Sequence, residues 1–218
     1  MTLKNSIIKK VCFFSGALLI VTGVLVLSLW QLNIHNSIQK SDEYLKTIRA
    51  LTPTPQGAAL EQKSNNTMPV LSIDGTDFAG VIEIPRFNSA LPVCDSWGSV
   101  TKYPCKLEGS VYDKTIQIGA TTQKGQYDFY RKLSVGDTVE FCDMEGNRFT
   151  YTITNLNYRD NADKATLTAN KSALALFIKN VYDFNYLIVC CRLLCRLPLD
   201  FLYTYKVFPL GISHRLFC

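Results

Sequence analysis

The stretch DTVEFCDMEGNRFTYTITNL, residues Asp137–Leu156, reads as two strands around a tight reversal. Met144, Glu145 and Gly146 separate the halves, and a glycine there suits the turn of an antiparallel hairpin. In the second half Phe149, Tyr151 and Ile153 alternate with Thr150, Thr152 and Thr154. Successive strand side chains point to opposite faces, so one face is apolar and the other hydroxylated.

Working outward, the same short-strand grammar recurs. FAGVIEIP (Phe78–Pro85) is an apolar strand stopped by proline, and ALPVC (Ala90–Cys94) is a second extended piece. TIQIGA (Thr115–Ala120) is a third, followed by a helical turn over QYDFYRKL (Gln126–Leu133) that SVGD breaks. ALALFI (Ala173–Ile178) and NYLIVCC (Asn185–Cys191) add two more strands. Many short strands with interspersed turns and no internal repeat imply an all-β unit, a small antiparallel barrel or sandwich.

What precedes this unit is of another kind. Val11–Gln31 contains no charge and is about long enough to cross a ~30 Å hydrocarbon core as a helix. Lys4, Lys9 and Lys10 lie before it, which predicts a cytoplasmic segment 1–10 and an outside location for all that follows. A cleaved signal peptide has a shorter apolar run ending in small residues, whereas this one ends in Leu29, Trp30 and Gln31. An uncleaved transmembrane signal-anchor over 11–31 is the expectation. Ile38, Leu45, Ile48 and Leu51 then recur near helical spacing, and Thr52–Pro69 is rich in Pro, Thr, Gln and Asn. Segment 32–77 is therefore expected to be a helical stalk and polar linker holding a domain at 78–191 off the membrane.

Composition narrows the function classes. Of 218 residues, 47% are hydrophobic and 19% charged, which excludes a wholly disordered chain. The net charge of +5 is spread out, without a basic stripe interleaved with aromatics, so no nucleic-acid partner is expected. Eight cysteines form no paired CxxC, and no histidine stands at ligand spacing beside them, so neither a metal nor another cofactor is expected. Cys94, Cys105 and Cys142 read as small buried hydrophobes. After Cys191 the composition shifts: segment 192–218 is rich in Leu, Arg, Cys and aromatics, with Arg192, Arg196, Asp200 and Lys206 too frequent for a membrane span. An aberrant reading frame is expected there, ahead of a surface-lying amphipathic tail or a divergent terminal element.

FAGVIEIPRFNSALPV, WGSVTKYPCKLEGSVYDKTIQIGATT, FYRKLSVGDTVEFCDMEGNRFTYTITNL and LALFIKNVYDFNYLIVCC, in that order, resemble a sortase domain over Phe78–Cys191. The resemblance implies a closed barrel of about eight strands on a membrane-anchored cysteine transpeptidase of Gram-positive bacteria. It also implies a Cys nucleophile that acylates on a sorting-signal Thr, a His that moves protons, and an Arg that steadies the oxyanion. At the matching positions this chain has Thr121 for the His, Lys179 for the Cys and Tyr186 for the Arg. The only histidines are His35 and His214, and no thiol lies between Cys142 and Cys190.

The expectation is thus a membrane-anchored, extracytoplasmic sortase-like protein without transpeptidase activity, binding a cell-surface peptide or protein. One alternative is an active transpeptidase or peptidase with relocated residues, using Cys94, Cys105 or Cys190. The other is a degenerate or frameshifted product. Trp97, Asp137, Tyr127, Phe129 and Tyr130 are expected to serve packing and turns rather than chemistry.

Overall fold

The computed structural model describes residues 2–53, 67–99, 102–160, 172–183 and 185–194. One long helix, α1 (Thr2–Leu51), precedes nine strands. These are β1 (Leu71–Ile73), β2 (Thr76–Ile84), β3 (Ser89–Cys94), β4 (Cys105–Glu108), β5 (Ile116–Thr121), β6 (Thr138–Asp143), β7 (Arg148–Arg159), β8 (Leu174–Lys179) and β9 (Tyr186–Leu193).

The strands form one sheet in the order β1-β2-β3-β4-β5-β8-β9-β7-β6, and β6 pairs back onto β2. That last pairing, with Gly80 opposite Asp143 and Glu83 opposite Glu140, closes an eight-stranded barrel. β1 is an outrigger: Asp74 and Gly75 take positive φ of 50° and 73° and fold it back onto β2. Pairing is antiparallel except at two places, β3–β4 and β5–β8, which run parallel.

Local sequence explains which strands face water. β6 and the first half of β7 alternate between buried and half-buried residues, as the Phe149, Tyr151, Ile153 pattern dictates. IQIGAT and LALFIK do not alternate, and their residues are buried on both faces apart from the partly exposed Lys179. Continuous apolar runs of this kind suit strands covered on both sides, as parallel pairs usually are. The interior is filled by Ile82, Ile118, Phe141, Tyr151, Leu176 and Val189 among others.

Helix α1 differs from the expected stalk. It runs unbroken from before the apolar span to Leu51, and its last turns lie on the barrel rather than apart from it. Ile34, Ser41 and Ile48 recur every seven residues and are buried, Ile48 to 2% exposure, which marks one stripe of the helix as the contact face. Ile48, Tyr44 and Leu45 pack with Phe78, Val81, Cys94, Tyr103 and Cys105. Arg49 Nη2 lies 2.8 Å from Glu83 Oε1 on β2, a tie too exposed to add much stability. The preceding turns present Phe13, Leu18, Leu25 and Trp30 outward, and Cys12–Leu51 contains a window of mean hydropathy 2.4, long and apolar enough to cross a membrane. The polar spacer falls mostly outside the described residues. β9 runs two residues beyond Cys191, with Arg192 opposite Thr152 and Leu193 opposite Tyr151. The rest of the tail, from Cys195, is outside the described residues.

Candidate functional site

The three positions singled out in the sequence meet in space. Thr121 ends β5 and is the register partner of Lys179 at the end of β8. Lys179 is in turn the partner of Tyr186, which opens β9. Register partners on neighbouring strands share a face. Ala120, Ile178 and Leu187 belong to the barrel interior, so the adjacent row of Thr121, Lys179 and Tyr186 faces outward. Lys179 Nζ stands 5.9 Å from the Tyr186 ring centroid, within cation–π range.

Sequence reasoning missed a fourth member. Arg159, the last residue of β7, pairs with Tyr186 and is exposed. A guanidinium therefore stands one strand beyond the place where the resemblance calls for one. The sequence hint was available, since Asn157, Tyr158 and Arg159 continue the strand that was ended at Leu156.

The loops beyond this row are tied together by neutral groups. Thr121 is 5% exposed; its N–H donates to Gln126 Oε1 at 3.0 Å, and its carbonyl accepts from the Tyr127 N–H at 3.3 Å. The next residue, Thr122, donates its hydroxyl to Asn180 Oδ1 at 3.3 Å and accepts from the Val181 N–H at 3.2 Å. Asn180 Nδ2 donates to Tyr130 OH at 2.9 Å, and the Tyr182 N–H donates to Asn180 Oδ1 at 3.0 Å. The loop after β5 and the turn after β8 are thus stapled through one buried asparagine. Tyr130, read as packing, is also a hydrogen-bond acceptor in this staple.

The outer face beside the row is apolar. Gly119 pairs with Phe177, which pairs with Ile188. Trp97 lies against this face: a Cβ added at Gly119 would fall 2.0 Å from Trp97 Cζ3. The indole remains 46% exposed, so it combines packing with an accessible surface.

No described histidine or reactive thiol adjoins the row. His35 is exposed on α1, nine residues before Tyr44, which is about 13 Å along a helix. Cys94 and Cys105 lie in the separate cluster under α1. The Cys94 thiol is pushed up by its hydrogen bond to Cys105 and then by burial. Burial likewise raises Cys142, against a partial opposing pull from Arg148, and burial raises Cys191. Thiols held protonated in this way are poor nucleophiles. Among the described residues no three His, Cys, Asp or Glu converge as a metal site.

No family model and no curated protein matches the chain. Solved structures do resemble it. A Clostridium perfringens sortase D5 transpeptidase is similar at 15% identity and a TM-score of 0.48, over 73% of this chain and 99% of that one. Sortase A from Corynebacterium diphtheriae is similar at 13% identity and 0.47, over 77% and 86%. Sortase C1 from Streptococcus suis is similar at 17% identity and 0.45, over 55% and 74%. At these identities the likeness concerns the path of the chain and says nothing of chemistry, and the closed barrel rests on the strand pairing itself.

Proposed function

We propose that this chain is a membrane-tethered, extracytoplasmic sortase-like module that has lost cysteine transpeptidase chemistry and binds a cell-surface peptide or protein at the edge of the β5, β8 and β9 outer face, where Trp97, Lys179, Tyr182 and Tyr186 remain accessible. The observation behind the loss of chemistry is the row itself. Thr121, Lys179 and Tyr186 stand in register where the resemblance requires His, Cys and Arg. An acyl-enzyme needs a nucleophile, a proton carrier and an oxyanion partner together, and removing a nucleophile already abolishes covalent turnover. Thr121 lacks an activating base among the described neighbours that its hydrogen bonds reach. The relocated-cysteine alternative is disfavoured by the burial of Cys94, Cys105 and Cys190.

The binding half of the proposal is supported by the half-exposed Trp97 on Gly119 and the exposed Tyr182 in the turn after Lys179. Exposed aromatic rings give large contact area at low entropic cost. The apolar helix and the lysines before it support the membrane tether with the barrel outside.

A cell-surface extract passed over the immobilised full chain tests binding, with Trp97→Ala and Tyr182→Ala as comparisons. Capture that both substitutions weaken supports the assignment. Capture that neither affects, or a covalent peptide adduct on any cysteine, contradicts it.

A further inference from the structure

The barrel has one thin seam. β3 and β4 are joined by a single register pair among the described residues, Cys94 opposite Cys105. Every other pair of neighbouring strands shares three or more partners. The Cys94 N–H donates to the Pro104 carbonyl at 2.9 Å, and the following residues, Asp95 and Lys106, form an ion pair across the same seam. Both thiols are free and buried, at 1% and 0% exposure, and the Cys105 thiol donates to the Tyr103 carbonyl at 3.3 Å. Cys94 and Cys105 are register partners on neighbouring parallel strands, and neighbouring strands lie about 4.7–4.9 Å apart, within the Cα separation a disulfide spans.

We propose that Cys94 and Cys105 form a disulfide that locks the β3–β4 seam when the protein folds outside the reducing cytoplasm. One thiolate attacks a sulfur of an external disulfide, such as oxidised glutathione, and expels one thiol. The second cysteine thiolate then attacks the mixed disulfide and expels the other. Two cysteine thiols lose two protons and two electrons, and the external disulfide is reduced to two thiols, so the exchange balances. The closed fold buries both sulfurs, so the bond forms while β3 and β4 are still open to solvent. A cross-link here removes freedom from the unfolded chain at the place where the folded sheet has fewest bonds. Occupancy in the cell rests on the outside location proposed above.

The test is refolding of the reduced, denatured full chain into detergent micelles with excess oxidised glutathione. Free thiols are then blocked with N-ethylmaleimide under denaturing conditions and cysteine peptides are mapped by mass. The expected result is a Cys94–Cys105 linked peptide, two hydrogens lighter than its parts. The oxidised protein should also melt several degrees above the reduced one, a shift absent in Cys94→Ala/Cys105→Ala. Both cysteines blocked by maleimide, or either joined to a different cysteine, would overturn the proposal. This outcome is independent of membrane orientation. An error in orientation appears separately, as a barrel shielded from protease added to intact cells.

Discussion

Thr121 and Lys179 are register partners on the parallel strands β5 and β8, and Lys179 continues the row to Tyr186 on β9. Thr121, distant in the chain from the other two, thereby becomes their neighbour on one outer face. The side chains that meet there are a hydroxyl, an amine and a phenol.

If the row is intact, restoring the groups restores thiol activation. The triple variant Thr121→His/Lys179→Cys/Tyr186→Arg places an imidazole and a guanidinium beside the introduced thiol, and nearby positive charge lowers a thiol pKa. Its alkylation by iodoacetamide should have a midpoint below the ~8.5 of a free cysteine. The single Lys179→Cys variant should titrate higher. Equal midpoints would contradict the proposed alignment.

Trp97 owes its seat to Gly119. A Cβ at that position meets the indole at 2.0 Å, so Gly119→Ala must displace the ring or the strand. Overpacking of this sort costs about 1–3 kcal/mol. In a Trp30→Phe background the emission of Trp97 should shift to the red. Adding Trp97→Ala should recover most of the stability, a non-additivity expected for residues in contact.

The docked end of α1 should behave as core. Ile48→Ala deletes a side chain buried among Phe78, Val81 and Tyr103 and should cost about 2–5 kcal/mol by denaturant unfolding. Leu51→Ala, at a residue 61% exposed, should change stability by less than ~0.5 kcal/mol. Similar effects for the two would contradict docking of α1.

Stability should fall on the alkaline side. The Cys94, Cys142 and Cys191 thiols are raised above their ordinary value, and Tyr103 is pushed up to about 12 by burial. A raised acid holds its proton in the folded state where the unfolded chain has released it. The stabilising contribution is therefore complete below about pH 9 and is lost progressively as pH rises through the folded values. Melting temperature of the reduced protein should be flat from pH 7 to about 8.5 and decline beyond it. A rise in that alkaline window would contradict the burial of these groups.

Much of this architecture was legible in the residues. The Phe149, Tyr151, Ile153 alternation defined β7, and the proline after Ile84 marked where β2 stops, because both signals are local. β1 was overlooked although Asp74-Gly75 is a turn signal, since three residues make a weak strand pattern. β4, CKLE, was overlooked because its charges mask extension. Barrel closure through β2–β6 and the two parallel neighbours depend on pairings distant in sequence, which periodicity does not encode. The row of Thr121, Lys179 and Tyr186 came from resemblance, and the register brings those positions together. Arg159 stayed hidden because the end of β7 was set at the last apolar residue, whereas pairing to β9 carries the strand three residues further. The helix after the apolar span was foreseen from its spacing, but spacing alone does not say that a stripe is covered by a barrel.

The most direct measurement is site-resolved cysteine alkylation of the reduced, folded full chain in detergent micelles across a pH series, compared with the unfolded chain. The account predicts that every barrel cysteine reacts more slowly folded than unfolded, with no thiolate-like reaction below pH 8. A single barrel cysteine that reacts fast below pH 8 and slows on unfolding would contradict it and name a nucleophile.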